Sequence, residues 1–307
     1  MNKKDLSNQN IKRSVRLEAR GFRWKTFKLN YLTKGFEKFN PEKEIYGISI
    51  GGRDTTFNIK RYHITMDAGE SIVKLNPENM IFISHTDFDH YEGLAKLMKK
   101  EKKREFDIYI SENAYNRVEK LKNDLGRERK NFHFHFINEK SNICLDNHTK
   151  IEFFKIIHFD DSIGICILQG DSEGGWRRIL TYTGDLSLSL MKNEGLINEE
   201  LLNTETLIIE CSAIKSKKKL LRIEEDKHTA LDDIYFLITH NKVNIKNLVL
   251  VHMIAMPPIP MMVEKCYLFE NDILSYFSNS NLNVFYLTAC REIFDIKDDF
   301  MHPIKVI

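Results

Sequence analysis

The 307-residue chain has no run approaching the roughly eighteen consecutive apolar residues of a membrane-spanning helix, so no membrane partner is expected. It has only five cysteines, at 144, 166, 211, 266 and 290, an odd number with no CxxC spacing. Most sit in apolar runs, which predicts reduced, buried thiols in a cytosolic protein. A charge excess is also missing: 46 basic residues stand against 44 acidic ones, so net charge selects no partner. The N-terminal residues carry no apolar signal core, and no internal repeat or low-complexity linker interrupts the chain. These absences predict a cytoplasmic protein. Its length and 42% hydrophobic content suffice for a full core, as one large domain or two small ones.

The most informative stretch is Ile81-Phe82-Ile83-Ser84-His85-Thr86-Asp87-Phe88-Asp89-His90-Tyr91-Glu92-Gly93-Leu94. A short apolar run reads as a buried strand and stops at Ser84. Four metal-type ligands then fall within six residues: His85, Asp87, Asp89 and His90. Imidazole nitrogen and carboxylate oxygen hold zinc, manganese or iron in open, water-activating sites. In extended chain His85 and Asp87 point the same way, because the side-chain period is two. Asp89 and His90, at the turn into a helix, can face a second ion. A solvated acidic turn with two incidental histidines is the plainer alternative. It loses ground because three later strand-like runs end the same way: 151–157 at His158, 179–183 at Gly184-Asp185, and 247–251 at His252. Strand ends and the loops after them are where active sites gather, so the recurrence predicts one convergent site.

Other elements follow from pattern. Runs at 45–50 and 62–66 read as strands separated by the hairpin residues Gly51-Gly52-Arg53-Asp54. Residues 94–103 and 112–125 read as amphipathic helices flanking a buried strand at 106–110, and 260–279 as an apolar C-terminal helix. His133 and His135 alternate with phenylalanines and read as the polar face of a half-buried strand, outside the site. His228 stands at a helix entrance, where Thr229 and Asp232 can form a capping-box-like pair. Residues 1–28 are basic, with Phe22, Trp24 and Phe27 interleaved; such an arm can neutralise phosphates. A solvated tail is the commoner explanation.

The spacing of His85, Asp87, Asp89, His90 and Gly93 resembles the His-x-His-x-Asp-His fingerprint of the metallo-β-lactamase superfamily, with Asp87 where most members have histidine. The order continues through His158, Gly184-Asp185 and His252, and Asp67-Ala68-Gly69 resembles the superfamily's Asp-x-Gly turn, which buttresses the metal loop. Three elements are similar to ribonuclease Z: Asn40-Pro41-Glu42-Lys43, Asp67-Ala68-Gly69-Glu70-Ser71, and His228-Thr229-Ala230-Leu231-Asp232. The resemblance implies an α/β fold, an αββα four-layer sandwich over residues 31–307 behind a basic extension at 1–30. It implies two divalent transition-metal ions, one on His85, Asp87 and His158, the other on Asp89, His90 and His252, with Asp185 bridging. Zinc is the usual ion, and the harder carboxylate of Asp87 favours manganese or iron. The implied function is cleavage of RNA, tRNA precursors included, by a hydroxide held between the ions, with Asp89 and His228 catalytic. A homodimer is the assembly to expect. Other hydrolases of the fold (DNA nucleases, cyclic-nucleotide phosphodiesterases, lactonases) and a non-catalytic nucleic-acid-binding relative are the alternatives. A broken ligand set would mark the last, and every position here keeps a competent ligand.

Overall fold

The computed structural model describes residues 44–52, 54–125, 130–172, 174–197, 199–212, 228–254, 273, 275–277, 280 and 282–286. The basic arm and the loop Asn40-Pro41-Glu42-Lys43 lie outside the described residues. So does most of the helix expected over 260–279, although Ile273 and Phe277 from that stretch are buried.

The described strands form two seven-stranded sheets. The first contains β1 (Ile45–Gly51), β2 (Asp54–Ile59), β3 (Ile64–Met66), β4 (Met80–Ile83), β5 (Phe106–Ser111) and β6 (Phe132–Ile137) in that order. The second runs outward through β7 (Asn142–Cys144), β8 (Thr149–Lys155), β9 (Ile163–Gly170), β10 (Trp176–Tyr182), β11 (Thr206–Glu210) and β12 (Asn247–Val251). The short β13 (Met253–Ile254) returns to the first sheet beside β1, and β14 (Asn283–Tyr286) closes the second beside β12. Strands β3 to β6 are parallel to one another, as are β10, β11, β12 and β14.

The all-apolar strands follow from burial on both faces. In β4, Phe82 points between the sheets while Ile81 and Ile83 point outward. In β12, Val249 and Val251 point inward while Leu248 and Leu250 point outward. Each fully buried side chain of this kind contributes about 1.5–3 kcal/mol. Helices α1 (Ile72–Leu75), α2 (Phe88–Lys100) and α3 (Tyr115–Asp124) belong to the half of the chain that forms the first sheet. Leu94, Leu97 and Met98 of α2 and Val118 of α3 cover that sheet's outer face. The second sheet's outer face is packed by α4 (Leu188–Asn193), α5 (Glu199–Leu202) and α6 (Leu231–His240) through Leu188, Met191, Leu201, Leu231, Ile234 and Leu237. Helices outside and two sheets face to face are the expected αββα sandwich.

Three local expectations are corrected. The strand paired with β1 is β2, not 62–66: Lys60–Tyr62 is a single 3-10 turn, and β3 begins only at Ile64. The helix expected over 94–103 runs from Phe88 to Lys100. Thr229 does not cap α6; Ala230 occupies its N-cap, and Asp233 Oδ2 accepts from the Ala230 N–H at 3.4 Å.

Helix α2 reaches the sheet through a glycine. A Cβ at Gly93 would lie 1.8 Å from the carbonyl oxygen of Gly69, and the Gly93 N–H donates to the Ala68 carbonyl at 2.7 Å. Gly93→Ala should therefore destabilise the fold by about 1–3 kcal/mol or more. Urea unfolding checks this, and an unchanged midpoint would show that the helix can slide to make room.

Candidate metal centre

The site forms where strands of both sheets end. His85 follows β4, His158 follows β8, Asp185 follows β10, and His252 follows β12; Asp89 and His90 open α2. All of the residues expected in the site converge, Asp87 at its mouth with a 39%-exposed side chain, the others buried or, for His228, partly exposed. His85, Asp87 and His158 bring ligand atoms within 4.8 Å of one another, and so do Asp89, His90 and His252. Asp185 lies between the groups: its Oδ2 is 3.0 Å from His252 Nε2 and 3.9 Å from His85 Nε2, and its Oδ1 is 3.4 Å from His90 Nε2. His133 and His135 lie elsewhere, paired on the surface with Glu105 and Asp107 at 2.9 and 2.8 Å.

Behind the cluster, Asp67 fixes the loop. It sits at φ 56°, a left-handed conformation uncommon for aspartate, directly after β3. Its carboxylate accepts from the Ser84 N–H at 2.7 Å, Ser84 Oγ at 2.9 Å, Tyr182 OH at 2.5 Å and His90 Nδ1 at 2.8 Å. Since the one Ser84 hydroxyl proton goes to Asp67, the 3.0 Å contact between Ser84 Oγ and His85 Nδ1 is donated by the histidine. Both rings thus carry hydrogen on Nδ1 and turn Nε2 into the site, the arrangement by which outer carboxylates orient metal-binding histidines. Gly184 permits the approach of the Asp185 loop: it has φ 62°, and a Cβ there would meet Ser84 Cβ at 2.6 Å.

One central residue was missed from sequence. Glu210, fully buried at the end of β11, accepts from His228 Nδ1 at 2.5 Å, from the Leu186 N–H at 2.7 Å and from Ser212 Oγ, and lies 3.8 Å from His252 Nδ1. The signal was available, since Leu207-Ile208-Ile209-Glu210 is another apolar run ending in a ligand-type residue. Thr229 also has a site role: its Oγ1 donates to the Leu186 carbonyl at 2.7 Å and accepts from the Leu188 N–H at 3.2 Å, pinning the loop that carries Asp185. At the rim, Phe159 stacks on His85 with ring centroids 6.2 Å apart.

Electrostatics show what the cavity asks for. Burial disfavours a charged His252, yet Asp185, Asp89 and Glu210 push its pKa up to about 10. Burial opposes charge on His90 too, but Asp185 and Asp67 raise it well above the ordinary histidine value. His85 has burial and its histidine neighbours on the same side, and is held well below. Burial alone would raise Asp89, but the hydrogen bond from His252 and the histidine charges carry it below the carboxylate range. Carboxylates here keep protons on imidazoles that also point at a shared space. His85 Nε2, His90 Nε2 and Asp185 Oδ1 are buried there without a hydrogen-bond partner. Unmet donors and acceptors of this kind are costly unless something occupies the space, and a divalent cation fits the mixed nitrogen and oxygen set.

A model of the beta-lactamase superfamily domain matches residues 63–253, more than half of the chain. The chain belongs to that family. Solved structures with the same architecture include the metallo-beta-lactamase fold protein YhfI from Bacillus subtilis, at 14% identity and a TM-score of 0.54, covering 77% of this chain and 92% of that one. Human tRNase Z, short form, matches at 14% identity and a TM-score of 0.50, covering 68% of this chain and 91% of its own. At such identities both show the fold alone. A search of curated proteins by sequence finds no match. As a metallo-beta-lactamase-fold protein the chain stands in a family of hydrolases that generally bind divalent metals. Among the described residues no helix is long and apolar enough to cross a membrane.

Two predictions follow from the cluster. Elemental analysis of protein purified without chelators should find two transition-metal ions per chain, and Asp185→Asn should lower occupancy at both positions, because its carboxylate touches both groups; a metal-free preparation would sink the binuclear arrangement. Since the His252 pKa stands at about 10 without metal and that of His90 is raised in the same direction, loading at pH 7 must expel protons, and apparent affinity should rise with pH. Calorimetric titration with Zn²⁺ or Mn²⁺ in buffers of differing ionisation enthalpy should report net proton release; none would mean the ions bind elsewhere.

Proposed function

We propose that the protein is a metal-dependent phosphodiesterase acting on RNA, with tRNA precursors the leading substrate, through the ribonuclease Z-like features of its site. The observation that carries this reading is the His228–Glu210 pair, standing 3.9 Å from the Asp185 carboxylate. It lies outside the groups His85, Asp87, His158 and Asp89, His90, His252, and with Asp185 and His252 forms a further cluster of ligand-type atoms. Burial disfavours the imidazolium of His228, but the Glu210 hydrogen bond and charge outweigh it and raise the pKa above the ordinary value. Glu210 in turn is drawn down to about 2 by His228 and His252, against the effect of its burial. A carboxylate on Nδ1 leaves the opposite nitrogen, Nε2, to face a substrate with a proton to give.

His85, Asp87 and His158 would hold one ion, and Asp89, His90 and His252 the other, with Asp185 between them. When bound, two divalent ions supply Lewis acidity: they neutralise charge on phosphoryl oxygens and lower the pKa of coordinated water. Asp89, whose Oδ2 also accepts from the Gly52 N–H at 2.8 Å, is held rigidly enough to orient an attacking water. His228 donates its proton to the departing oxygen or to a phosphoryl oxygen as charge builds there. A proton donor beside the ions serves any displacement that expels an oxygen. The phosphodiester reading among these is supported by the ribonuclease Z-like segment that carries His228. Manganese or iron suits the Asp87-containing position better than it would a histidine-only one.

His228→Ala should lower turnover on a phosphodiester by roughly 10²–10⁴-fold while metal content stays unchanged. His252→Ala should lose metal together with activity. Glu210→Gln removes the charge that raises the His228 pKa, so the alkaline limb of the pH–rate profile should move to lower pH. Cleavage of bis(p-nitrophenyl) phosphate and of an RNA panel measures all three, and full activity in His228→Ala would refute the assignment.

A further inference from the structure

We propose that Phe88 and Arg117 form a subsite for one nucleotide of a single-stranded nucleic acid, the base stacked on the Phe88 ring and the neighbouring phosphate held by the Arg117 guanidinium. This rests on the phosphodiester reading above and extends it outward from the metal cluster.

Phe88 is 68% exposed, the most exposed of the large apolar side chains among the described residues. A single exposed phenylalanine is ordinary on a protein surface. This one is the first residue of α2 and stands between Asp87 and Asp89, both in the site. Its position, not its exposure alone, gives it significance: its chain neighbours on both sides belong to the metal-ligand groups.

Arg117 supplies the second observation. Its Nη1 donates to the Thr86 carbonyl at 3.1 Å and to Thr86 Oγ1, and lies 3.8 Å from Asp161 Oδ2. Thr86 separates His85 from Asp87, and Asp161, three residues after His158, also accepts from the Thr86 N–H at 3.1 Å. The arginine therefore sits at the junction of the two loops that deliver His85, Asp87 and His158. Only one corner of its guanidinium is used there. The side chain is 55% exposed, and Nη2 and Nε meet no partner among the described residues.

Both side chains belong to the same loop: Arg117 Nη1 holds the carbonyl and hydroxyl of Thr86, and Phe88 follows Thr86 by two residues, at the start of α2. An aromatic ring alone accepts any flat group, and a lone guanidinium any anion. A ring and a guanidinium attached to one loop, next to a site for a phosphodiester, match a base and a phosphate of one strand.

The test is fluorescence anisotropy with the full-length, metal-loaded protein and a phosphorothioate-linked 12-nucleotide oligouridylate, compared with an abasic strand of the same backbone. Phe88→Ala should weaken oligouridylate binding by roughly 5- to 100-fold, the usual worth of one stacked base, and leave the abasic strand unaffected. Arg117→Met should reduce the salt dependence of both strands by about 0.7 in log–log slope, and Arg117→Lys should restore it, since a lysine still neutralises a phosphate. A purely loop-bracing arginine would alter melting temperature or metal content without moving that slope. Should Arg117→Met fail to fold, Arg117→Gln takes its place, since its amide can still donate to the Thr86 carbonyl while the charge is lost, and an unchanged slope in it overturns the phosphate contact. Equal loss on both strands, no loss on either, or no binding by the wild type overturns the subsite. Hydrolysis of bis(p-nitrophenyl) phosphate is measured alongside. Hydrolysis without strand binding overturns the subsite alone, whereas the expected binding pattern without hydrolysis supports the subsite and overturns the phosphodiesterase reading.

Discussion

The carboxylate of Asp67 is the point through which both sheets and the metal loop are tied. It gathers donors from β4's end, from the first turn of α2 and, through Tyr182, from the opposite sheet. A buried anion without those donors would cost several kcal/mol, and a partly satisfied one would leave the loop loose. With them, His85 and His90 each have one nitrogen fixed and one presented. The backbone at Asp67 is held in a left-handed turn by the same neighbours, its N–H donating to the Phe82 carbonyl at 2.8 Å. Strain, hydrogen bonding and ligand orientation are therefore one arrangement.

A second carboxylate, Glu210, plays the matching part in the other sheet. It orders His228, approaches His252 and holds the Leu186 amide beside Asp185. Each half of the molecule thus contributes an inner acid that shapes the candidate metal ligands. Around them the cavity carries more negative charge than its histidines neutralise without proton uptake. The same balance that raises His90 and His252 makes the site receptive to cations and ties occupancy to pH.

Much of this was legible in the sequence, because strands buried on both faces are written as unbroken apolar runs and the residues after them stand out. The strand ends at Ser84, His158, Asp185 and His252 were visible on that basis. Strand β2 was not. Its Thr55, Thr56 and Asn58 are buried but polar, satisfied by partners such as Ser49 Oγ, the Gly69 N–H and Thr65 Oγ1, none of which a hydrophobic pattern reveals. Glu210 escaped for a different reason: an acid at the end of a strand looks like a surface residue until its three donors are known. Thr229 was read as a local cap, whereas its partners lie more than forty residues away. Local chemistry was visible; tertiary hydrogen bonding was not.

At His252 the backbone turns through φ 59° and passes from β12 in one sheet to β13 in the other. The residue whose Nε2 meets Asp89 and Asp185 is thus also the joint by which the chain changes layers, its N–H donating to Ser49 Oγ at 2.9 Å. Its partners at Ser49 and Asp89 lie 203 and 163 residues away in sequence. Closing loops of that span is slow and entropically late. The pocket is therefore built from residues far apart in the chain, and a cation held there would act as a latch on the seam between the two layers.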